Sequence, residues 1–217
     1  MMATEMLVEP MAPVTTVDIT PGVTTVDIAP GPEPKTWTVT FRTRGSTGAL
    51  AATAGALTTA RLNIISAVIR SAGVLDTLEV SFDVVPLEGV QFSEKDAEKL
   101  AATVGQIMRG SIDMAVEIAE LRKVFPVRAT IDPKVDLDLG SELSAGIKVA
   151  FVDRPGLVYN VTETLGRHHL YTRALSVLIF RGCLHASFRV VDSTGKPPRN
   201  PVVLGALRAE LLSTCSF

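Results

Sequence analysis

The sequence is poor in the residue types that most site chemistry draws on. Its 217 residues include two cysteines and three histidines, and aromatic side chains make up only 5%. Two thiols, Cys183 and Cys215, cannot build a disulfide framework. They read as reduced cysteines of a cytoplasmic protein, with Cys183 a small core residue on a strand rather than a reactive thiol. His168 and His169 are adjacent and point to different sides of a helix end, and His185 stands alone on a strand. None has the spacing a metal site wants, so no metal and no cofactor is expected. Basic residues bring no excess: 21 Lys and Arg stand against 23 Asp and Glu, which argues against a nucleic-acid surface. No apolar run approaches the roughly 20 residues of a membrane span. The N-terminus lacks the basic stretch and compact apolar run of a secretory signal. Gly195-Lys196-Pro197 lacks the preceding glycine and the following hydroxyl of a phosphate-cradling loop.

What the sequence does have is apolar content, 47%, and a repeat. Residues 1–35 read as a mobile tail. Thr15-Thr16-Val17-Asp18-Ile19-Thr20-Pro21-Gly22 recurs as Thr24-Thr25-Val26-Asp27-Ile28-Ala29-Pro30-Gly31, and Pro10, Pro13, Pro32 and Pro34 add breaks. The Thr-Val-Asp-Ile runs could instead pair with a sheet edge.

From Thr36 a unit opens in the order strand, loop, helix, hairpin, helix. Alternation through Trp37, Val39 and Phe41 marks a half-buried strand over 36–44. The loop is Gly45-Ser46-Thr47-Gly48, a helix spans 49–60, and Leu62-Asn63-Ile64-Ile65 opens the next strand. A hairpin follows through 74–84. Ser93, with Asp96 three residues on, reads as an N-cap before the stripe Ala97, Leu100, Ala101, Val104, Ile107 and Met108. After Gly110, the stretch 112–124 turns Ile118 and Leu121 inward. Val127 to Ile131 is a candidate fourth strand. Residues 133–143 read as a linker, and Asp136 and Asp138, which precede Gly140-Ser141 rather than follow it, read as linker carboxylates rather than a catalytic pair.

A second unit spans 144–217 and is built around Phe151-Val152-Asp153-Arg154-Pro155-Gly156-Leu157. Ile147, Val149 and Phe151 alternate as a strand, and Pro155 stops strand pairing. Asp153 is placed as an N-cap carboxylate, and Gly156 lets a backbone or ligand come close. Leu157, Val161 and Leu165 form the stripe of a helix ending near Arg167. Such a loop turns backbone N–H groups toward a positive helix end, which attracts carboxylates. The alternating run 174–180, the turn Arg181-Gly182, the strand 183–192 and a helix from Asn200-Pro201 complete the unit, with no length left for a long fourth strand. Setting Gly48 on Gly156 sets Leu57 on Leu165 and Leu62 on Leu170, all 108 positions apart. The repeat lies in pattern more than in letters, and it predicts two copies of one fold.

The loop 153–157, the run 174–180, and Phe188, Val190, Asp192, Gly195 and Lys196 beyond the turn resemble the ACT domain. They resemble in particular the ACT pair at the C-terminus of bifunctional PII uridylyltransferase/uridylyl-removing enzymes. The resemblance implies an α+β fold of two ferredoxin-like βαββαβ units, 36–132 and 144–217, with antiparallel sheets and helices on one face. It implies a regulatory, non-enzymatic protein of nitrogen metabolism that binds a small amino acid, glutamine being the leading candidate. The catalytic regions of those enzymes have no counterpart here. A homodimer or a protein partner is expected, because ACT units report through contacts. The alternative is a ligand-free ACT module used for dimerisation or protein interaction.

An ACT site of the common type combines a strand–helix loop with a polar residue opening the second strand. The resemblance thus puts Asp153, Arg154, Pro155, Gly156 and Leu157, together with Asn63 and Gly48, in the ligand site. Neither copy is complete. The second has the loop but Tyr171 at the polar position, and the first has Asn63 but a loop without acid or proline. If the units pair side by side, loop 153–156 and Asn63 could form one competent site.

Overall fold

The computed structural model describes residues 24–45, 48–72, 77–125 and 131–216. Eight strands form one antiparallel sheet: β1 (Thr25–Pro30), β2 (Trp37–Arg44), β3 (Leu62–Ala72), β4 (Thr77–Pro86), β5 (Lys134–Asp138), β6 (Ala145–Val152), β7 (Tyr171–Phe180) and β8 (Cys183–Val191). Five helices accompany them: α1 (Ala49–Thr59), α2 (Ala97–Met108), α3 (Met114–Val124), α4 (Leu157–Arg167) and α5 (Pro201–Ser216). The capping box at Ser93 and Asp96 starts a short 3-10 turn, Glu94–Asp96, that leads into α2.

The sheet order is β1-β2-β4-β3-β7-β8-β6-β5. Each half has the α+β architecture of the ferredoxin-like type, in tandem. The outermost strand of each half comes from the chain before its unit rather than after it: β1 pairs antiparallel with β2, and β5 with β6. This corrects two expectations. Residues 25–30 belong to the sheet and not to a tail, whose residues 1–23 lie outside the described ones. Residues 134–138 are a strand and not linker. Of the candidate fourth strand, residues 127–130 lie outside the described ones, and Ile131 is irregular. The physical reason is shared. A ferredoxin-like half leaves the outer edge of its first strand unpaired, and an apolar-alternating segment from either direction can satisfy those N–H and C=O groups. Val26, Ile28 and Val135 are buried there. The turn into β2 fixes the first case: Gly31 donates to the Thr36 carbonyl, and a Cβ on Gly31 would meet Thr36 Oγ1 at 2.2 Å.

The halves join through β3 and β7, pairing Ser66 with Leu178, Ala67 with Val177 and Val68 with Ser176. Val68 thus faces its own counterpart, 108 positions on, and an approximate twofold axis passes between them. Matched bulges, between Ile64 and Ser66 and between Thr172 and Ala174, repeat in both halves. The side chains of Val39, Phe41, Val80, Phe82, Ile147, Phe151, Leu184 and Phe188 are buried beneath the helices. On the opposite face Val68, Leu178 and Phe180 are each about half exposed. Helix α1 is buried from Ala49 to Thr58, since α2, α3, α4 and the sheet all touch it. Its alanine-rich sequence supplies the small side chains that such close packing needs.

Candidate functional site

The twofold arrangement decides which loop meets which strand. Helices α1 and α4 run antiparallel: Gly48, at the start of α1, lies against Gly166 near the end of α4, while Thr58 near the end of α1 lies beside loop 153–158. A cleft forms there, lined by Thr58, Asn63, Leu87 and Leu121 from the first half and by residues 153–158 from the second. The structure therefore brings Asn63 together with Asp153, Arg154, Pro155, Gly156 and Leu157. Gly48 is not among the lining residues. It sits at the far end of α1, an 11-residue helix about 16 Å long.

Asp153 is not the N-cap of α4. That place belongs to Gly156, in a left-handed conformation with φ 77° and with no side-chain cap. The turn Arg154–Leu157, closed by the Leu157 N–H on the Arg154 carbonyl, separates the acid from the helix start. The Asp153 backbone N–H instead donates to the Gly182 carbonyl, holding the loop against the β7–β8 turn. Its carboxyl is drawn into the cleft, where burial pushes its pKa above the ordinary carboxylate value. The Asn63 amide and the Arg154 backbone N–H, both hydrogen-bond donors to it, pull the other way and compensate only in part. The guanidinium of Arg154 donates to the Thr214 carbonyl of α5 at 3.4 Å. The cleft thus offers a carboxylate, an amide, and the first-turn N–H groups of α4 beyond Leu157, a set that matches an ammonium and a carboxylate on one small ligand.

The open volume in this cleft is about 30 Å³, room for a water or two. Helix α3 closes it. Leu121 lines the cleft, and Ile118 packs on Gly156 so closely that a Cβ there would meet Ile118 Cγ1 at 2.5 Å. The inward stripe of 112–124 was legible in the sequence. Nothing in the sequence said that inward meant onto the second unit's loop. At the twofold-related place, a Cβ on Gly48 would meet nothing within 4 Å among the described residues.

The histidines stay apart: His168 pairs with Glu210 at 2.6 Å, linking α4 to α5, and His185 lies on the exposed sheet face. Among the described residues, no group of His, Cys, Asp or Glu could hold a metal ion, and no helix is long and apolar enough to cross a membrane. Cys183 is half-buried at the start of β8.

No protein-family model matches the chain. Among curated proteins it is similar to the bifunctional uridylyltransferase/uridylyl-removing enzyme of Bradyrhizobium sp. (strain ORS 278), 27% identical over 169 residues that cover 73% of this chain and 17% of that enzyme. The enzyme of the same name from Xanthomonas axonopodis pv. citri is 27% identical over 129 residues, 54% of this chain and 13% of the relative. The chain therefore spans less than a fifth of the length of these relatives.

Proposed function

We propose that this chain is a non-catalytic regulatory sensor of the ACT type, which takes one small amino acid at the junction of its two units. The observation that carries the reading is the meeting of two incomplete half-sites, Asn63 from the first unit and loop 153–157 from the second, in one cleft. The ligand carboxylate faces the first-turn N–H groups of α4, and its ammonium lies between Asp153 and Asn63. Glutamine is the first candidate, since the resemblance to uridylyltransferases implies a nitrogen signal. The similarity to enzymes of that name supports a regulatory role and leaves their activity with them. Entry of a molecule this size requires Leu121 and Ile118 to move, so α3 is the element that reports occupancy to a protein partner or a second copy. The closed cleft favours a second reading, a ligand-free interaction module in which α3 is a permanent part of the core.

Calorimetry with each of the twenty amino acids separates the two. One ligand per chain is expected. Asn63→Ala should bind at least tenfold more weakly, because losing a hydrogen bond to a charged group costs about 1.5–3 kcal/mol. Two equal sites, or an Asn63→Ala protein that binds like its parent, would refute the shared site. Binding of none of the twenty would leave the interaction module.

A further inference from the structure

The face of the sheet away from the helices treats its two halves in opposite ways. In the first half Arg42 stands between two acids: it donates to Glu79 at 2.8 Å and pairs with Asp27 on β1. Around it, Thr38 and Ser66 both donate to Asp83, and Thr40 bonds to Ser81. Each of these side chains finds a partner within the half, and of Asp27 only Oδ1 is left without one.

In the second half the counterpart of Arg42 is Ala150, 108 positions on at the same point of strand β6. Ala150 lies opposite Lys134 of β5 on one side and His185 of β8 on the other. These occupy the places of Thr25 and Glu79 around Arg42. Lys148, two residues before Ala150 on the same face, stands in the place of Thr40. The large cation between acids has become a methyl group between basic side chains. A hollow of about 360 Å³ results, lined by Ala150, Ser176, Ser187, Leu178 and His185 together with Lys134, Lys148 and Asp136. Strand spacing puts Lys134 and His185 on either side of Ala150 with Cα atoms about 10 Å apart, and Lys148 about 7 Å along the strand. No ion pair or hydrogen bond within the described residues engages the Lys134, Lys148, Ser176, Ser187 or His185 side chains. Asp136 lies directly across from Lys148 in the register without an ion pair to it. Two ammonium groups against one carboxylate leave the rim positive.

The geometry points to a second ligand site here, for a small anion that also carries a hydroxyl or P–OH donor, the ligand supplying the charge that Glu79 supplies to Arg42, while Asp136 keeps the place of Asp27. Its anionic oxygens reach Lys134, Lys148 and the imidazole, and its donor meets Asp136 or the serine hydroxyls. The size suits a molecule of metabolite dimensions. This site is on the opposite face from the Asn63 cleft and does not depend on it.

Amide spectra of the full chain, titrated with inorganic phosphate, malate and succinate at constant ionic strength, test this. Phosphate or malate should give saturating shifts at Lys134, Lys148, Ala150 and Ser187, and whichever saturates first identifies a phosphate or a hydroxy-acid ligand. Ala150→Arg, which restores the first half's arrangement, should weaken binding at least tenfold, and Lys148→Ala at least threefold with an exposed, fold-neutral change. Shifts that rise linearly with all three anions would overturn the site, as would midpoints unchanged in both variants. Succinate binding as tightly as malate would overturn the requirement for a donor.

Discussion

The two halves share a backbone and differ in what lies on it. Gly48 and Gly156 both start a helix with positive φ, 91° and 77°. Over Gly48 no described residue comes close, whereas over Gly156 sits Ile118 of α3. Loop 153–156 carries a partly buried acid, while its counterpart begins with Gly45, 108 positions earlier. Duplication preserves the strand and helix register because one residue of slip would turn the core outward. It leaves loops and the exposed sheet face free to diverge. A helix placed between the copies, as α3 is, can cover only one of two twofold-related junctions, so asymmetry of the cleft follows from linear connectivity.

The largest expected effect tests whether the halves are energetically one body. Phe82 and Phe188 occupy matching, fully buried positions on β4 and β8. Replacing either with Ala should cost about 3–5 kcal/mol. Trp37, the single tryptophan, lies in the first half. Urea unfolding of Phe188→Ala followed by Trp37 fluorescence should shift as far as unfolding followed by circular dichroism. A fluorescence midpoint left at the parental value would show two independent halves.

The glycine pair sharpens the comparison next. Gly48→Ala meets only the conformational penalty of positive φ, about 1 kcal/mol. Gly156→Ala adds overpacking against Ile118 and should cost about 2–4 kcal/mol in total. Limited proteolysis should find α3 more accessible in the second variant alone. Equal losses of stability in the two would mean that α3 does not bear on the loop.

A smaller effect depends on pH. The folded-state pKa of Asp153 is raised, chiefly by burial, so the folded protein binds this proton more tightly than the unfolded chain. The penalty is absent below the ordinary carboxylate range. It grows as pH rises from there through the raised value, and is full above it. Asp153→Asn should therefore raise the Tm at pH 7 and leave it nearly unchanged near pH 3. A variant less stable at pH 7 by the same margin as at pH 3 would assign the acid a structural hydrogen bond instead.

The smallest effect is on the exposed face. Glu79→Gln removes one of two acids from Arg42, itself nearly half exposed, and should cost about 0.2–1 kcal/mol, with the loss shrinking as salt is added. A salt-independent loss would show that packing of the side-chain stems, rather than charge, holds the first half closed.

The sequence by itself determined the elements that rest on local periodicity. The strands at Trp37–Arg44 and Ala145–Val152, the helices after Gly48 and Gly156, and the common spacing of 108 were all legible, because alternation and helical stripes are written in neighbouring residues. Asn63 and loop 153–157 stood out as candidates through the resemblance to ACT domains. What only the tertiary structure decided is what touches what across the sheet. Thr25–Pro30 and Lys134–Asp138 are short and carry turn-like neighbours, so their strand character comes from the unpaired edges of β2 and β6 rather than from their own propensity. Asp153 had the composition of an N-cap, yet the turn Arg154–Leu157 set it apart from the helix and gave it to Asn63. The same holds for Ile118 and Leu121: their inward face was fixed by the helix period, but the loop they close lies more than 30 residues on, and only folding brings the two together.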